Sequence, residues 1–494
     1  MKILLINPRT SFNFSFAGVP LGVLAIGSYL KAKGYDVRVL DRSVQRNKIT
    51  KVFAEFKPDA VGISLVSSSA IADTVKLSEY CKVQGIPVIM GGAMATAIPE
   101  QLLKEGAADY VVLGEGEITI HELLQKLEIG EAAGELPGLV YLNGDAQVHY
   151  TPNRPFADLS TFPKTDWSLI KPSRYWNVGV NTNKAIYTYR SKGCPGSCTF
   201  CFNKSFHQST RRVRSDDAVL EEIRELVSIH GADGIFFGDE CFCTKREEML
   251  TFCDKLKALN LNFFWTCITR VNITRQELQA MYDAGCRGVF FGVESGSREM
   301  LKRIQKNISL ELIEDTFRHC REIGIHTTAS FIIDLPDETE EDLMQTLDLI
   351  RKIGSVISLM QFFSPEPQTV LWNKLVAQGK LKPPQDLAGW SKLFIRENGG
   401  GSFSKIPQRE LHVVQKFAVL LSILHREKGR TSPLYILRRG LVEFTRSISH
   451  QGLADVIANL FLLGMQAVKA IWYLTAYPKI RKKYGLYLRN FRQN

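Results

Sequence analysis

The chain has 494 residues, of which 45% are hydrophobic and 23% are charged, as expected for a globular protein of two or three domains. The formal charge of +11 comes from the last segment: residues 404–494 hold 16 Lys and Arg against 4 Asp and Glu, which leaves 46 against 47 in residues 1–403. This distribution excludes a protein that coats nucleic acid along its whole length, so no nucleic-acid partner is expected, and it predicts a basic C-terminal surface. Ten cysteines without an export signal predict a reducing, cytoplasmic environment.

Short apolar runs alternate with amphipathic stretches through the first domain, predicted at 1–145. We expect helices at 21–33, from about 66 to 84 and at 99–105, between strands at 2–6, 37–40, 60–65, 87–90 and 110–113. This alternation predicts an α/β fold with a doubly wound, Rossmann-like parallel sheet.

Small residues collect where these strands end, which is where such sheets bind ligands. The residues concerned are Ser64, Gly91, Gly92, Gly114, Glu115 and Gly116. Their order, with 27 positions between Ser64 and Gly91, resembles the cobalamin-binding domain that precedes many radical S-adenosylmethionine (SAM) domains. The resemblance covers about residues 1–140 and implies that these positions line the groove for the nucleotide tail of cobalamin.

No histidine occurs before His121, so the D-x-H-x-x-G loop that ligates cobalt from below in cobalamin mutases is absent. Many relatives have a histidine at the position of Met94. A thioether is a soft, weak ligand, but methionine also fills gaps in cores, and both roles stay open for Met94.

A connector at 146–184, rich in Pro, Asn and Thr, is predicted to wrap between the domains and to lead into a barrel at 185–395. Six strands are expected there, at 185–189, 234–237, 264–268, 288–292, 327–333 and 358–363. Six βα units predict a partial TIM barrel, whose active residues lie at the carboxyl ends of the strands.

Three cysteines, Cys194, Cys198 and Cys201, follow the first of these strands with C-x3-C-x2-C spacing. Three thiolates on one loop can bind three irons of a 4Fe-4S cluster, whereas an electron carrier normally has four cysteine ligands. Zinc would need a fourth protein ligand, for which His207 is the only nearby residue, and a disulfide or buried free cysteines are the remaining alternatives.

With its neighbours, this loop resembles that of the radical SAM superfamily, in which the open iron binds SAM and its electron generates a 5'-deoxyadenosyl radical. The resemblance implies a SAM pocket at the strand ends, comprising Phe200, Gly238, Asp239, Glu240, Arg270, Glu294 and Ser295. Arg270 would bind the SAM carboxylate or form a salt bridge at the barrel rim. The resemblance identifies no catalytic residue.

The segment 396–494 is predicted to be helical and basic, with helices at 408–428 and 433–447 and an apolar stretch at 453–477. Lysines and arginines follow Trp472 and Tyr473 up to residue 483, a pattern typical of an interfacial helix on an anionic membrane. A helix packed on the barrel is the alternative, whereas Asp455 and Lys469 disfavour a span.

The two resemblances together imply a radical SAM enzyme that uses a 4Fe-4S cluster, SAM and cobalamin to methylate an unactivated carbon. The basic, apolar tail predicts an apolar substrate, such as an isoprenoid lipid or a tetrapyrrole, and a peripheral position on the inner face of the cell membrane. Flavodoxin or ferredoxin is the expected electron donor. Cyclisation, ring rearrangement and carbon-carbon coupling remain alternatives, as does a non-catalytic cobalamin or iron-sulfur sensor.

Overall fold

The structure is a computed structural model that describes residues 1–10, 18–45, 48–355, 357–393, 402–424, 468–469 and 471–487. Within these residues, it contains two parallel sheets whose strand ends face each other across a cleft. The predicted α/β architecture is therefore confirmed.

The N-terminal sheet has seven strands, of which the first five are parallel. The strands are β1 Lys2–Asn7, β2 Asp36–Asp41, β3 Ala60–Ser64, β4 Val88–Gly91, β5 Tyr110–Val112, β6 Leu139–Leu142 and β7 Val148–Tyr150. The helices around it are α1 Leu21–Ala32, α2 Ile49–Phe56, α3 Ile71–Val83, α4 Ala93–Ala97, α5 Pro99–Lys104 and α6 Glu117–Glu128.

The strand order of this sheet is β2-β1-β3-β4-β5-β6-β7. The order reverses between β1 and β3, and a ligand crevice is expected at that point, outside the carboxyl ends of the strands. The hairpin of β6 and β7 runs antiparallel to β5 at one edge and was not expected from the sequence.

The connector packs against the N-terminal sheet, as its predicted wrapping role requires. Trp167 is completely buried, the Tyr175 hydroxyl donates to Asp41 at 2.9 Å, and Lys31 pairs with Asp166 at 2.6 Å. The connector therefore holds the barrel entrance against the first domain.

The second large sheet has the order β16-β15-β14-β13-β12-β9-β8, and β9 and β12–β16 are parallel. Its strands are β8 Asn177–Gly179, β9 Thr182–Thr188, β12 Gly234–Phe237, β13 Phe264–Thr269, β14 Cys286–Glu294, β15 His326–Ile333 and β16 Ile357–Phe362. A small hairpin, β10 Ser191–Lys192 with β11 Arg212–Val213, flanks the cysteine loop. Six parallel strands form the predicted partial barrel; β8, antiparallel to β9, was not expected.

Helices cover the outer face of this sheet and continue beyond it. They are α7 Asn203–Phe206, α8 Asp216–Arg224, α9 Arg246–Ala258, α10 Arg275–Asp283, α11 Arg298–Arg303, α12 Leu310–Ile323, α13 Glu340–Ile353, α14 Val370–Ala377, α15 Leu387–Lys392, α16 Gln408–Leu424 and α17 Pro478–Lys483. A capping box of Thr339 and Asp342 starts α13. Asp334 and Asp337, in the turn before this helix, both have a φ of 66°.

Two later elements fix the domains together. Helix α15 packs against α3 of the N-terminal domain, and the Leu387 amide donates to Glu105 at 2.8 Å. Helix α16 packs against β16, so it covers the open edge of the barrel.

The C-terminal helix α17 packs on α16 through a polar contact, in which the Tyr484 hydroxyl donates to Glu410 at 2.6 Å. The predicted helix at 433–447 and most of the apolar stretch at 453–477 lie outside the described residues. No helix in the described ranges has the length and apolarity that a membrane crossing requires.

Candidate cobalamin and SAM site

A cleft of about 1310 Å³ lies between the strand ends of the two sheets. Its N-terminal wall comes from α1, the ends of β3 and β4, and the β5–α6 turn; its barrel wall comes from the β10 hairpin, α7 and the end of β12. The lining is mostly aliphatic, aromatic and glycine.

Glycines give the N-terminal wall its shape. A Cβ at Gly62 would lie 2.7 Å from the Leu5 side chain, and one at Gly92, whose φ is 102°, would lie 2.8 Å from the Leu65 carbonyl. A Cβ at Gly22 or Gly114 would meet nothing within 4 Å, so a larger residue there would extend into open space. The wall therefore has the shape that a large flat ligand requires, and its residues fit cobalamin.

Six of the seven predicted cobalamin residues line this cleft: Ser64, Gly91, Gly92, Gly114, Glu115 and Gly116. Met94 does not. It is 3% exposed and packs in the core of the N-terminal domain, on α4 directly after Gly92. The structure thus places Met94 as a core residue, away from the cavity.

Ion pairs cross the cleft from the β5–α6 turn to the β10 hairpin. Arg212 donates to both oxygens of Glu115, at 2.9 and 2.5 Å, and Lys192 donates to Glu117 at 2.6 Å. Burial alone would raise the pKa of Glu115, but the hydrogen bonds and charge of Arg212 hold it below its ordinary value. Burial would lower the pKa of Lys192, whereas the neighbouring Glu117 raises it. The two domains therefore meet through paired, oppositely charged side chains.

His207 lies between the two walls and is 4% exposed. Its Nε2 is 3.5 Å from Glu240, its Nδ1 is 3.9 Å from Glu115, and Nδ1 has no hydrogen-bond partner. Burial alone would raise the pKa of Glu240, but hydrogen bonding from His207 lowers it. The imidazole of His207 therefore lies between Glu115, a predicted cobalamin-binding residue, and Glu240, a predicted SAM-binding residue.

Backbone contacts hold the cysteine loop in place. The Cys194 amide donates to Asn203 Oδ1 at 2.9 Å, and the Asn203 side chain donates back to the Cys194 carbonyl at 2.5 Å. The Cys201 amide donates to the Cys198 carbonyl at 3.2 Å, and the Thr199 amide donates to Ile304 at 3.0 Å. All three thiols are free.

The three sulfurs have different surroundings. The nearby Cys241 thiol and the Gly196 amide outweigh burial and lower the pKa of Cys194 to about 6. Arg270 Nη1 lies 3.6 Å from Cys198 Sγ. Burial raises the pKa of Cys201 to about 11, so this thiol must lose a proton when metal binds.

These donors fit an iron-sulfur cluster, because each thiolate would bind a different iron. Across the described ranges, no three His, Cys, Asp or Glu side chains converge as ligands of one metal ion.

The predicted SAM residues at the end of β12 take different positions. Gly238 and Glu240 line the cleft, and Glu240 accepts from the Gly193 amide at 2.9 Å. Asp239 is completely buried, and its carboxylate accepts from the amides of Arg190 and Ser191 at 3.1 and 2.5 Å. The structure thus brings Glu240, but not the carboxylate of Asp239, to the cavity.

Four further predicted residues surround the cysteine loop from the barrel side. Glu294 lies at a bulge of β14 with a φ of 72° and forms a buried ion pair with Lys306 at 2.8 Å. Arg270 donates to the Lys306 carbonyl. Ser295 is completely buried, with its hydroxyl 3.2 Å from that of Thr346. Phe200, the fourth of these residues, is half-buried against the core of the N-terminal domain.

Sequence reasoning missed Arg212 and Lys306, gave no role to Lys192, and considered His207 only as a zinc ligand. Arg212 and Lys192 could have been noticed as cations that flank the cysteine loop on both sides. Their partners are 97 and 75 positions away in the chain, which no local pattern indicates.

Comparisons with known proteins agree with this site. Residues 188–350 match the model of the radical SAM superfamily, and residues 12–124 match that of the B12 binding domain. An uncharacterized methyltransferase of Pyrococcus horikoshii is 30% identical over 393 residues, covering 77% of this chain and 84% of that protein. The anaerobic magnesium-protoporphyrin IX monomethyl ester cyclase of Rubrivivax gelatinosus is 29% identical over 392 residues, covering 76% of this chain and 70% of that protein.

Among solved structures, the cobalamin-dependent S-adenosylmethionine radical enzyme OxsB, with aqua-cobalamin and S-adenosylmethionine bound, has the same fold. Its TM-score is 0.67 at 17% identity, with 99% of this chain and 79% of that chain covered. The predicted family and cofactors are confirmed: the chain belongs to the cobalamin-binding radical SAM enzymes, whose cofactors are an iron-sulfur cluster, SAM and cobalamin.

Proposed function

We propose that this enzyme methylates an unactivated carbon of an apolar substrate, such as an isoprenoid lipid or a tetrapyrrole. The observation that carries the proposal is the shared cleft: the strand ends of the cobalamin domain and the stems of the cysteine loop form opposite walls of one cavity. When bound, SAM on a 4Fe-4S cluster supplies a 5'-deoxyadenosyl radical, and cobalamin supplies a methyl group.

The residues of the barrel wall would bind and orient SAM. Glu240 presents a carboxylate to the cleft, suited to the methionine amine, and Gly238 leaves space beside it. Arg270, beside Cys198, is positioned for the carboxylate of SAM, while Glu294, Ser295 and Phe200 would support the ribose and adenine side. Asp239 would act indirectly, by fixing the backbone before the cysteine loop.

The lining of the cleft supports an apolar substrate. Phe202, Phe206 and Tyr189 contribute aromatic surface to the barrel wall, opposite the aliphatic N-terminal wall. A second cavity of about 1070 Å³ adjoins the cleft, with which it shares Glu115 and Phe206, and it gives space for a substrate beside cobalamin. Its lining includes connector residues 153–157.

Methylation is favoured by similarity to the Pyrococcus methyltransferase, and cyclisation by similarity to the Rubrivivax cyclase. The two reactions differ in how they use SAM. A methyl transfer releases S-adenosylhomocysteine as well as 5'-deoxyadenosine, whereas a radical cyclisation releases only 5'-deoxyadenosine.

The test is anaerobic incubation of cluster- and cobalamin-loaded enzyme with methyl-labelled SAM, a strong reductant and a panel of isoprenoid lipids and tetrapyrroles. For the wild-type enzyme, we expect mass spectrometry to show both SAM products and a methyl-labelled substrate. For Cys198→Ala, we expect neither 5'-deoxyadenosine nor labelled substrate. 5'-Deoxyadenosine with an altered but unlabelled substrate would establish cyclisation or coupling and contradict methylation. Reduced flavodoxin or ferredoxin replaces the chemical reductant in a second arm.

The C-terminal segment would place this site near a membrane. Val468, Ile471 and Trp472 are 67%, 53% and 53% exposed, and lysines of α17 lie next to them in the chain. Tyr473 of the same segment stacks on His412, so one side packs on the barrel while the other offers apolar surface. We infer that this segment would combine the two predicted roles, interfacial and packed.

Vesicle pelleting tests this placement. Ile471→Ser with Trp472→Ser should reduce binding to vesicles of anionic phospholipid. Ile229→Ser should not, although Ile229, an apolar residue on the barrel, is 75% exposed. Equal pelleting of all three proteins would contradict a membrane role for this segment.

A further inference from the structure

The second cavity, of about 1070 Å³, lies between the β5–α6 turn, the connector and helix α7 of the barrel. It shares Gly114, Glu115 and Phe206 with the cobalamin cleft, so a molecule seated in it would have one end at the cleft. The charge and the hydrogen-bonding groups of its walls decide which molecules it can hold.

The charged side chains of this cavity are already paired. Among the described residues that line it, Glu115, Glu117 and Arg154 carry charge. The two ion pairs that cross the cleft hold Glu115 and Glu117. Arg154 donates to both oxygens of Glu122, and to the Thr119 hydroxyl at 2.7 Å. A charged ligand would therefore lose its hydration in this cavity without gaining an uncompensated opposite charge.

The other polar groups of the cavity include three side-chain amides, which are neutral. Gln368 donates through Nε2 to the carbonyls of Thr96 and Ala97, at 3.3 and 2.9 Å. Because a carbonyl only accepts, these contacts fix the orientation of the amide and leave the side-chain oxygen of Gln368 as an acceptor. Asn153 and Gln208 add two further amides to the lining. Such groups suit a hydroxyl or an amide of a ligand.

Apolar side chains make up much of the remaining lining, including Phe156, Phe162, Phe206, Leu113 and Ile118. Phe206 also lines the cleft, so the apolar surface continues from one cavity to the other. Apolar walls with a few neutral amides fit a molecule that has an apolar body and an uncharged polar group.

We propose that the second cavity selects the substrate by charge: it takes an uncharged end that bears a hydroxyl, ester or amide group, and it rejects carboxylates and phosphates. The proposal rests on the proposed function, whose substrate class it narrows. An isoprenoid alcohol or an esterified tetrapyrrole fits this cavity, whereas a tetrapyrrole acid or an isoprenyl phosphate does not. Asn153, Gln208 and Gln368 are the residues that would contact the uncharged end.

The test is anaerobic equilibrium dialysis of the full-length protein, loaded with cluster and cobalamin, against two matched pairs of probes. One pair is farnesol and farnesyl phosphate, and the other is protoporphyrin IX dimethyl ester and protoporphyrin IX. The members of each pair share one carbon skeleton and differ in charge. The ratio of the two affinities within a pair therefore isolates the effect of charge.

Asn153→Lys places an unpaired cation in the wall of the cavity. The matched control is Asn373→Lys, the same change at an exposed position of α14 outside the lining of both cavities. We expect the wild type and the control to bind the neutral member of each pair about tenfold more tightly. Asn153→Lys should lower this ratio about fivefold, as expected for a partly exposed charge pair. Cobalamin affinity should be the same in all three proteins.

Three results would overturn this assignment alone. The first is equal or tighter binding of the charged members by the wild type, and the second is an unchanged ratio in Asn153→Lys with cobalamin still bound. The third is a loss of cobalamin from Asn153→Lys alone, which would assign the amides to the corrin ring. Failure of all four probes to bind would instead overturn the apolar substrate of the proposed function, and this selectivity with it.

Discussion

The two walls of the cleft hold their ligands by different means. The N-terminal wall is made of glycines and aliphatic side chains, with charge only at Glu115 and Glu117 of the β5–α6 turn. The barrel wall carries Lys192, His207 and Glu240 close to the cysteine loop. In the proposed function, the first wall would fit a large, largely uncharged ring system by shape, and the second would orient a small, charged molecule by hydrogen bonds. Substitutions in the two walls should therefore have different effects.

Removing a cysteine should have the largest effect, confined to the barrel wall. Cys198→Ala should lose the cluster and all detectable 5'-deoxyadenosine formation, because two thiolates cannot hold the cluster in place. Cobalamin binding should be unchanged, since Cys198 does not line the cleft. Iron analysis measures the loss of the cluster, and equilibrium dialysis measures cobalamin binding. The control is Cys253→Ala, which removes a buried cysteine of α9. Equal loss of cobalamin would show that the walls are not separable.

Filling the N-terminal wall should produce the opposite result. Gly22→Phe puts a ring into open cleft space, because nothing lies within 4 Å of a Cβ there. We expect cobalamin affinity to fall at least tenfold, about 1.4 kcal/mol, while iron content stays at the wild-type level. Gly144→Phe, also unobstructed but away from the cleft, serves as the control. Unchanged cobalamin affinity in Gly22→Phe would place the ring system elsewhere.

The contact between the walls should contribute moderately to stability. Arg212→Gln breaks a half-buried bidentate pair with Glu115 and should lower the free energy of unfolding by about 2 kcal/mol. Arg298→Gln breaks a fully exposed pair with Glu311 and should leave the free energy of unfolding almost unchanged. Urea denaturation of the apoprotein measures both, and similar losses in the two variants would contradict a special role for the contact.

The same contact should give the smallest effect, a dependence on pH. The pKa of Glu115 is lowered in the folded protein, so its stabilisation is complete above the unfolded pKa of about 4.3 and is lost as the pH falls through the lower, folded value. The stability difference between the wild type and Glu115→Gln should therefore be constant near neutral pH and shrink below about pH 4.3. Urea denaturation midpoints of both proteins at a series of pH values measure this stability difference. A difference that grows as the pH falls would contradict a lowered pKa of Glu115 in the folded protein.

Much of the fold could be predicted because apolar runs between glycines and prolines mark buried parallel strands. Strand β12 was predicted at its observed bounds, and most others within two residues. The β6–β7 hairpin was missed because it lies at a sheet edge, where Leu142 and Tyr150 are 37% and 48% exposed and no buried run forms.

The site was predictable where topology alone brings residues together. Parallel strands align their carboxyl ends, so Ser64, Gly91 and Gly114 necessarily meet at one edge. Met94 differs because the helical turn after Gly92 directs it into the core, and a sequence position does not reveal that direction. Contacts between domains depend on how two separately folded sheets dock, which neither local sequence determines.

The β10–β11 hairpin holds both stems of the cysteine loop against the β5–α6 turn, through Lys192 on one side and Arg212 on the other. The iron-binding loop is thus anchored on the domain that binds the other cofactor. The two domains cannot be exchanged independently: a chimaera with a foreign cobalamin domain would need Glu115 and Glu117 in register, or its iron loop would lose its support. A change that favours the binding of either cofactor is therefore constrained by the same four charged residues.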